Sequence, residues 1–254
     1  MIELKNIQQQ KQFKILLIGD DCLDVYQYGT VDRISPEAPV PVFKYSHKEE
    51  RGGMARNVKA NLEELGCKVD YLSGTTNVKT RLIDIRSKQQ IVRIDNDQQS
   101  HPITIETTLP MYDAIVISDY NKGAVSYELV EELRKEFKGP IFVDSKKHDL
   151  KRFEGCIIKI NQHEFSQLVS KPSERTDLIV TYGDNGVVWG VHAFAAKRVE
   201  VADVCGAGDT FLSALCYQYL NTNDMSQAIK FAISASAVAV QHVGCYAPKL
   251  EEIK

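Results

Sequence analysis

The segment Asp203-Val204-Cys205-Gly206-Ala207-Gly208-Asp209-Thr210-Phe211 joins three small residues to a carboxylate at the start of an amphipathic pattern. Phe211, Leu212, Leu215, Cys216 and Tyr219 recur at helical spacing and are expected to face a core. Gly206, Ala207 and Gly208 then occupy a helix N-terminus, where unpaired N–H groups and the helix dipole attract an anion. Small side chains let a phosphate approach that backbone. Asp209 falls in the first turn beside the anion, which is unfavourable unless the carboxylate accepts a proton from an attacking hydroxyl. A plainer role, complementing the helix dipole, fits this segment alone equally well.

The elements that must position these residues alternate along the chain. Phe13–Gly19, Val69–Leu72, Ala114–Ser118, Pro140–Val143, Cys156–Ile160, Asp177–Thr181 and Gly186–Gly190 read as strands. Helical patterns run from Gly52-Gly53 through Val58, Leu62 and Leu65 to Gly66, and over 127–137, 208–220 and 226–242. Apolar strands separated by helices predict an α/β fold with a doubly wound, mainly parallel sheet. Such sheets bind ligands beyond the carboxyl ends of their strands. Gly19-Asp20, Ser118-Asp119, Asp144 and Asn161 all stand there. Two regions break the alternation: the proline- and charge-rich stretch 28–45, and the alternating pattern of 79–97 around the polar turn 86–90. They predict a small second sheet that covers a ligand, with basic residues Arg33, Lys79, Arg81 and Arg93 on it.

The 254 residues suit one large domain, and 43% hydrophobic with 26% charged residues is ordinary for a globular protein. A net charge of −3, with no basic run interleaved with aromatics, gives no support to a nucleic-acid partner. The first 14 residues are polar and Gln-rich, and no stretch has the length of a membrane span, so a cytoplasmic protein is expected. Six cysteines without a Cys-x-x-Cys pair read as reduced thiols, mostly buried; Cys205, against the glycine-rich turn, is either reactive or simply packed. Neither they nor the six histidines make a metal site.

Four motifs together resemble the ribokinase-like, phosphofructokinase-B type carbohydrate kinases over nearly the whole chain. They are Gly52-Gly53-Met54-Ala55-Arg56-Asn57, Asn161-Gln162-His163-Glu164, Thr181-Tyr182-Gly183-Asp184-Asn185-Gly186 and Val204–Phe211, in the family's order. A narrower resemblance, to heptose 7-phosphate kinases that form half of bifunctional ADP-heptose synthesis enzymes, rests on Arg33-Ile34-Ser35-Pro36-Glu37-Ala38-Pro39-Val40-Pro41-Val42. Gln89–Asp95 and Ser118–Ala124 fit the same group. No His-x-Gly-His nucleotidyltransferase motif occurs, so the resemblance is to the kinase half only. Relatives carry a helix and a strand after Leu72-Ser73-Gly74, which this chain lacks, and a small residue where Arg56 stands.

The resemblance implies a single ribokinase-like domain over 1–254 with lid segments at about 26–46 and 79–97. It implies ATP and Mg²⁺ as cofactors, a phosphorylated sugar as substrate, and a homodimer through lid strands. Asp209 would be the base, with Gly206, Ala207 and Gly208 as the anion hole. Asp24, Gly52, Gly53 and Asn57 would face the sugar, and Arg33, Lys79, Arg81, Asp119 and Lys122 are candidates for the substrate and its phosphate. Asn161, Glu164, Thr181, Gly183 and Gly186 would hold the nucleotide, with Glu164 also organising Mg²⁺. Lys146 either reaches a phosphate or lies solvated. Asp184-Asn185-Gly186 is equally a hairpin turn signal.

Overall fold

The computed structural model describes residues 12–253; the first 11 residues of the Gln-rich start lie outside them. Ten strands form one sheet: β1 (Lys14–Ile34), β2 (Pro41–Met54), β3 (Lys68–Asp84), β4 (Gln90–Asn96), β5 (Ala114–Asp119), β6 (Ile141–Ser145), β7 (Ile157–Asn161), β8 (Asp177–Thr181), β9 (Val187–Trp189) and β10 (His192–Phe194). The helices are α1 (Ala55–Glu64), α2 (Tyr127–Glu136), α3 (Gln162–Ser166), α4 (Ala207–Thr222) and α5 (Met225–Ala239). The strand order is β10-β9-β8-β7-β6-β5-β1-β3-β4, with β2 added to β1. Pairing is parallel from β3 through β1 and β5 to β8, and antiparallel at β1/β2, β3/β4, β8/β9 and β9/β10. No described helix is long and apolar enough to cross a membrane.

Period-2 alternation divides the strand residues between two cores. Ile15, Leu17, Val116, Phe142 and Ile179 pack on one face with residues of α1, α4 and α5; Leu16, Ile18, Ile117, Val143 and Ile160 pack on the other with α2. Both faces are covered, so these strands read as continuous apolar runs rather than alternating ones. Phe142 is fully buried at the centre of this arrangement, edge-on to Tyr219 with ring centroids 5.7 Å apart.

The lid is an outgrowth of the main sheet rather than a second sheet. The first half of β1, Ile15–Gly19, pairs with β5, and from Asp21 onward the same edge pairs with β2. On its other side β1 stays paired with β3 from Lys14 to Gly29. The expected short strand Val69–Leu72 therefore continues without interruption into the lid, because no helix intervenes after Gly74. One irregularity marks the crossing: the β1/β3 register shifts between Gly19 and Asp21. A bulge of this kind re-aims side chains beside a site.

Truncation of Phe142 in the packed core should cost about 3–5 kcal/mol of unfolding free energy, as other large-to-small core changes do. Val169, 85% exposed after α3, should cost less than about 0.5 kcal/mol when changed to alanine. Denaturant titration of Phe142→Ala and Val169→Ala checks the division between core and surface.

Candidate active site

The bulge brings two buried carboxylates to the carboxyl end of the sheet. Asp20 accepts backbone N–H groups from Tyr120 (2.7 Å), Lys122 (3.1 Å) and Ala124 (3.2 Å), and so fixes the loop after β5. Asp21 accepts two hydrogen bonds from Arg56, at 2.6 and 2.7 Å, with further bonds from Thr76 at 2.6 Å and Tyr71 at 3.0 Å. Burial alone would raise the pKa of Asp21, but the bidentate Arg56 and the two hydroxyls hold it below the usual carboxylate range. Arg56 thus ties the start of α1 to β1.

These two anchors converge on Asp209. Its carboxylate is buried in the first turn of α4 and accepts from Asn57 Nδ2 at 2.8 Å and from the Tyr120 hydroxyl at 3.0 Å. Burial pushes its pKa up to about 6; the Asn57 bond opposes this and the nearby Asp144 charge adds to it. Burial likewise raises Tyr120 well above its ordinary value, so the phenol remains a donor. Gly206 caps α4 in the left-handed region, at φ 75°, with no side-chain cap on the helix N-terminus. A Cβ at Gly206 would meet Asn57 Nδ2 at 2.6 Å and Cys245 Sγ at 3.1 Å, so the position requires glycine on both counts.

A small polar cavity of about 120 Å³ lies between this turn and the strand ends, lined by Asp144, Lys146, Lys159, Asn161, Glu164, Gly208 and Asp209 among others. Lys159 enters it from β7, its Nζ 2.6 Å from Asp144 Oδ2 and 2.8 Å from where a Cβ on Gly208 would sit. Burial favours the neutral amine, yet the Asp144 carboxylate reverses this and keeps Lys159 charged. An ammonium therefore faces the start of α4, which has no side-chain cap and where the Ala207 N–H is bonded to Val204 O at 3.3 Å; the cation and the helix N-terminus together suit a multiply charged anion. Asn161 and Glu164 form a reciprocal capping box on α3, at 2.8 and 2.9 Å, and Glu164 Oε1 also meets Lys146 Nζ at 3.2 Å. Lys146 lies over the Tyr120 ring at 4.8 Å, so it borders the cavity rather than standing apart in solvent.

Gly208 also lines a larger cleft of about 890 Å³, walled by Thr181, the Gly183–Gly186 turn, Lys197, Arg198 and the apolar side chains of Val199, Phe211, Ile233 and Val240. Thr181, Gly183 and Gly186 sit where β8 turns into β9, so the turn is a hairpin and a cleft wall together. A long apolar cleft that ends at a cationic anion hole has the shape of a nucleotide site.

On the other side of Asp209 lies the lid. Asp24 is within β1 rather than in a turn after it, and its Oδ1 accepts from Arg81 Nη1 at 2.6 Å. A Cβ on Gly53 would run into Asp24 Oδ2, and one on Gly52 would meet the Arg56 side chain at 2.6 Å. Arg51 and Arg81 both lie over the Tyr26 ring, at 5.2 and 5.1 Å. Lys79 is half-buried in register with Asp24.

Other sequence candidates sit apart from this focus. Arg33 is exposed at the far end of β1, Lys122 is paired with Asp97 at 2.5 Å, and Arg93 with Asp95 at 2.7 Å. Asp119 borders the small cavity, but its carboxylate is taken up by Ser145 at 2.7 Å and Lys147 at 2.6 Å, which makes it an internal brace. Tyr120, Lys159 and Arg51 were not among the sequence candidates. Lys159 had a readable signal, a lone cation inside the apolar run Ile157–Ile160 of a doubly covered strand; Arg51 adjoins the paired glycines and Tyr120 follows a strand end.

No group of three or more His, Cys, Asp or Glu side chains that could hold a metal occurs among the described residues. The oxygen donors Asn161 and Glu164 beside the small cavity nonetheless suit Mg²⁺, which retains several waters and needs few protein ligands.

Comparison with known proteins agrees with this geometry. The chain matches the family described as pfkB family carbohydrate kinase over residues 73–253. It is 32% identical to the bifunctional protein HldE of Campylobacter concisus over 303 residues, covering 96% of this chain and 64% of that protein. Against HldE of Hydrogenovibrio crunogenus the identity is 29%, with 94% and 62% covered, so the chain spans less than two thirds of these relatives' length. The alignment of 303 residues exceeds the 254 of the chain, so the relative carries insertions within the shared region. Escherichia coli phosphofructokinase-2 in complex with potassium shares the fold at a TM-score of 0.73 and 16% identity, covering 95% of this chain and 97% of that one. Arabidopsis thaliana ribokinase complexed with ribose and ATP does so at 0.72 and 15%, covering 96% and 98%. The resemblance read from four motifs is thereby borne out: the chain belongs to the pfkB family of carbohydrate kinases.

Proposed function

We propose that this kinase transfers the γ-phosphoryl group of ATP to the anomeric hydroxyl of a heptose 7-phosphate or a closely related phosphorylated sugar. The observation that carries the transfer step is the buried Asp209 carboxylate, oriented by Asn57 and Tyr120 at the mouth of the Gly206–Gly208 turn. Phosphoryl transfer needs positioning and charge stabilisation more than covalent chemistry. Asp209 accepts the proton of the sugar hydroxyl as that oxygen attacks the γ-phosphorus. The N–H groups of Gly206 and Gly208, with Lys159 Nζ, take the charge that spreads over the transferring oxygens, while that of Ala207 is bonded to Val204 O.

The apolar cleft receives the nucleoside, with Thr181, Gly183 and Gly186 along its phosphates and Lys146 at the γ end. Asn161 and Glu164 would hold Mg²⁺, which would supply neutralisation of charge on the ATP phosphates. Asp24 accepts sugar hydroxyls beneath the close backbone of Gly52 and Gly53. The arginine pair on Tyr26 supports a phosphorylated acceptor, because guanidinium forks suit phosphate and a neutral sugar has no use for two of them. Of the basic candidates, Arg81 and the additional Arg51 are the ones we assign to the substrate phosphate, with Lys79 behind them. Similarity to HldE supports the same acceptor class.

Exposed apolar residues on the lid, Ile34 (62%), Tyr45 (58%) and Ile94 (52%), support a homodimer formed through lid strands. A cytoplasmic location accords with the six free cysteines.

ADP release from ATP and Mg²⁺ should be observed with heptose 7-phosphate or sedoheptulose 7-phosphate and not with ribose, neutral hexoses or adenosine. Turnover on the neutral acceptors would replace the acceptor assignment, and silence across the panel with nucleotide still bound would identify a non-catalytic relative. Asp209→Asn should lower kcat roughly 10²–10⁴-fold. Arg51→Met should raise KM for the phosphorylated sugar about tenfold or more, the effect of losing one charge-assisted hydrogen bond.

The pH dependence follows from the raised Asp209 pKa. A base works deprotonated, so kcat/KM should fall about tenfold per pH unit below about 6. For stability the sign is opposite. The folded state binds this proton more tightly than the unfolded chain, so the contribution favours folding at low pH and is lost as pH rises through about 6. Asp209→Asn should consequently melt above the wild type at pH 8. Calorimetry at pH 5 and pH 8 measures the difference, and a lower melting temperature at pH 8 would refute the buried-charge assignment.

In gel filtration with light scattering the wild type should run as a dimer, and Ile94→Glu should shift it toward monomer.

A further inference from the structure

Two of the six cysteines differ from the rest. Cys22, Cys67, Cys156 and Cys216 are buried, and burial pushes their thiols up, to about 11 for Cys22 and about 12 for Cys67 and Cys156. Cys205 and Cys245 are partly exposed, and their sulfurs lie 3.3 Å apart although 40 positions separate them in sequence. The closeness is built by a third residue. Asp203 accepts the backbone N–H of Cys205 at 3.0 Å with Oδ1 and that of Gly244 at 2.9 Å with Oδ2, so one carboxylate clamps together the two segments that carry the thiols.

We propose that Cys205 and Cys245 form a redox modification site, a dithiol that a peroxide converts to a disulfide, closing the phosphoryl-transfer turn. Cys205 is the attacking thiol. The sulfurs lie within hydrogen-bond distance, and with Cys245 as the donor the bond holds the Cys205 pKa below the ordinary thiol value while Cys245 is raised. The Cys205 thiolate attacks one peroxide oxygen, the O–O bond breaks, and a sulfenic acid forms with release of hydroxide. The Cys245 sulfur then attacks the sulfenic sulfur and the S–O bond breaks. The departing hydroxide and the thiol proton leave as water, so two thiols and one hydrogen peroxide give one disulfide and two waters. Two electrons pass from sulfur to oxygen.

The cross-link acts where the chemistry is placed. A disulfide needs about 2.05 Å between sulfurs, so each approaches the other by well over half an ångström from 3.3 Å. Gly206 lies directly between them and Asp209: Cys245 Sγ is 3.1 Å, and Asn57 Nδ2 2.6 Å, from where its Cβ would be. The turn has no room to absorb the movement without shifting the N–H groups of Gly206–Gly208. A misplacement of about 1 Å at a reacting centre costs on the order of 10²-fold in rate.

This consequence rests on the kinase reading above, whereas the cross-link itself does not, and the experiment separates them. The whole protein is treated with stoichiometric hydrogen peroxide, and thiols are counted, peptides mapped, ADP release assayed and the thermal shift by ATP and Mg²⁺ measured. The expected result is loss of two thiols, a single peptide pair joining Cys205 to Cys245, and a fall in turnover of about 10²-fold that dithiothreitol reverses. Cys245→Ser should keep its activity before treatment, form no cross-link, and carry a dimedone-trappable sulfenic acid on Cys205. A wild type that accumulates trappable sulfenic acid without the Cys205–Cys245 peptide overturns the site. A cross-linked protein with unchanged turnover overturns the gating. Should every acceptor be silent, the kinase reading fails and the gating is read on nucleotide binding: a nucleotide-induced thermal shift that is lost on oxidation and restored by dithiothreitol upholds it, and one that persists overturns it.

Discussion

The site depends on where two adjacent carboxylates fall in β1. At the bulge between Gly19 and Asp21 the strand leaves the main sheet for the lid, and consecutive side chains serve different neighbours. Asp20 gathers three N–H groups of the loop after β5 and so delivers the Tyr120 hydroxyl. Asp21 gathers Arg56, Thr76 and Tyr71 and so fixes the helix that carries Asn57. Tyr120 and Asn57 are the two donors that hold Asp209. The Asp209 carboxylate is thus aligned by the first strand, nearly 190 positions earlier in the chain.

Arg56 illustrates how a departure from the family pattern becomes structural. A large cation among sugar-facing glycines reads from sequence as an intrusion. In the fold its guanidinium turns toward Asp21, where a bidentate pair keeps both charges satisfied. Breaking such a pair leaves an uncompensated buried carboxylate, which is costly. The same logic governs Asp144 and Lys159: the buried ammonium is tolerable because the half-buried carboxylate is present.

The shortened chain has an architectural consequence as well. Without a helix after Gly74, β3 has no reason to end, and it carries the sheet's hydrogen bonding from Lys68 to Asp84. Core and lid become one continuous ladder on the β1/β3 side, with β2 and β4 as the remaining edges. A lid joined in this way is held to the core by strand pairing rather than by a flexible connection. The cost is an apolar outer surface around Tyr45 and Ile94 that no other described residue covers.

The sequence by itself determined the class of fold, the family and the central actors. Apolar runs separated by helical patterns specify a doubly covered parallel sheet because hydrophobic burial must be satisfied on both faces. The Gly-Ala-Gly-Asp turn is local, so Gly206–Asp209 was legible without any neighbour. Tyr120 and Arg51 were not, because their importance lies in contacts between segments remote in sequence, and nothing in their immediate surroundings distinguishes them. Lys159 was half legible, as a charge where burial forbids an unpaired one. Asp119 shows the converse: its strand-end position marked it for substrate, and only the folded chain turns it onto Ser145 and Lys147. Register and side-chain direction come from long-range pairing, and pairing is what a linear pattern leaves open. The 3.3 Å approach of Cys205 to Cys245, set by the Asp203 clamp, is of the same kind: the residues are in the sequence, and the tertiary structure alone makes them a pair.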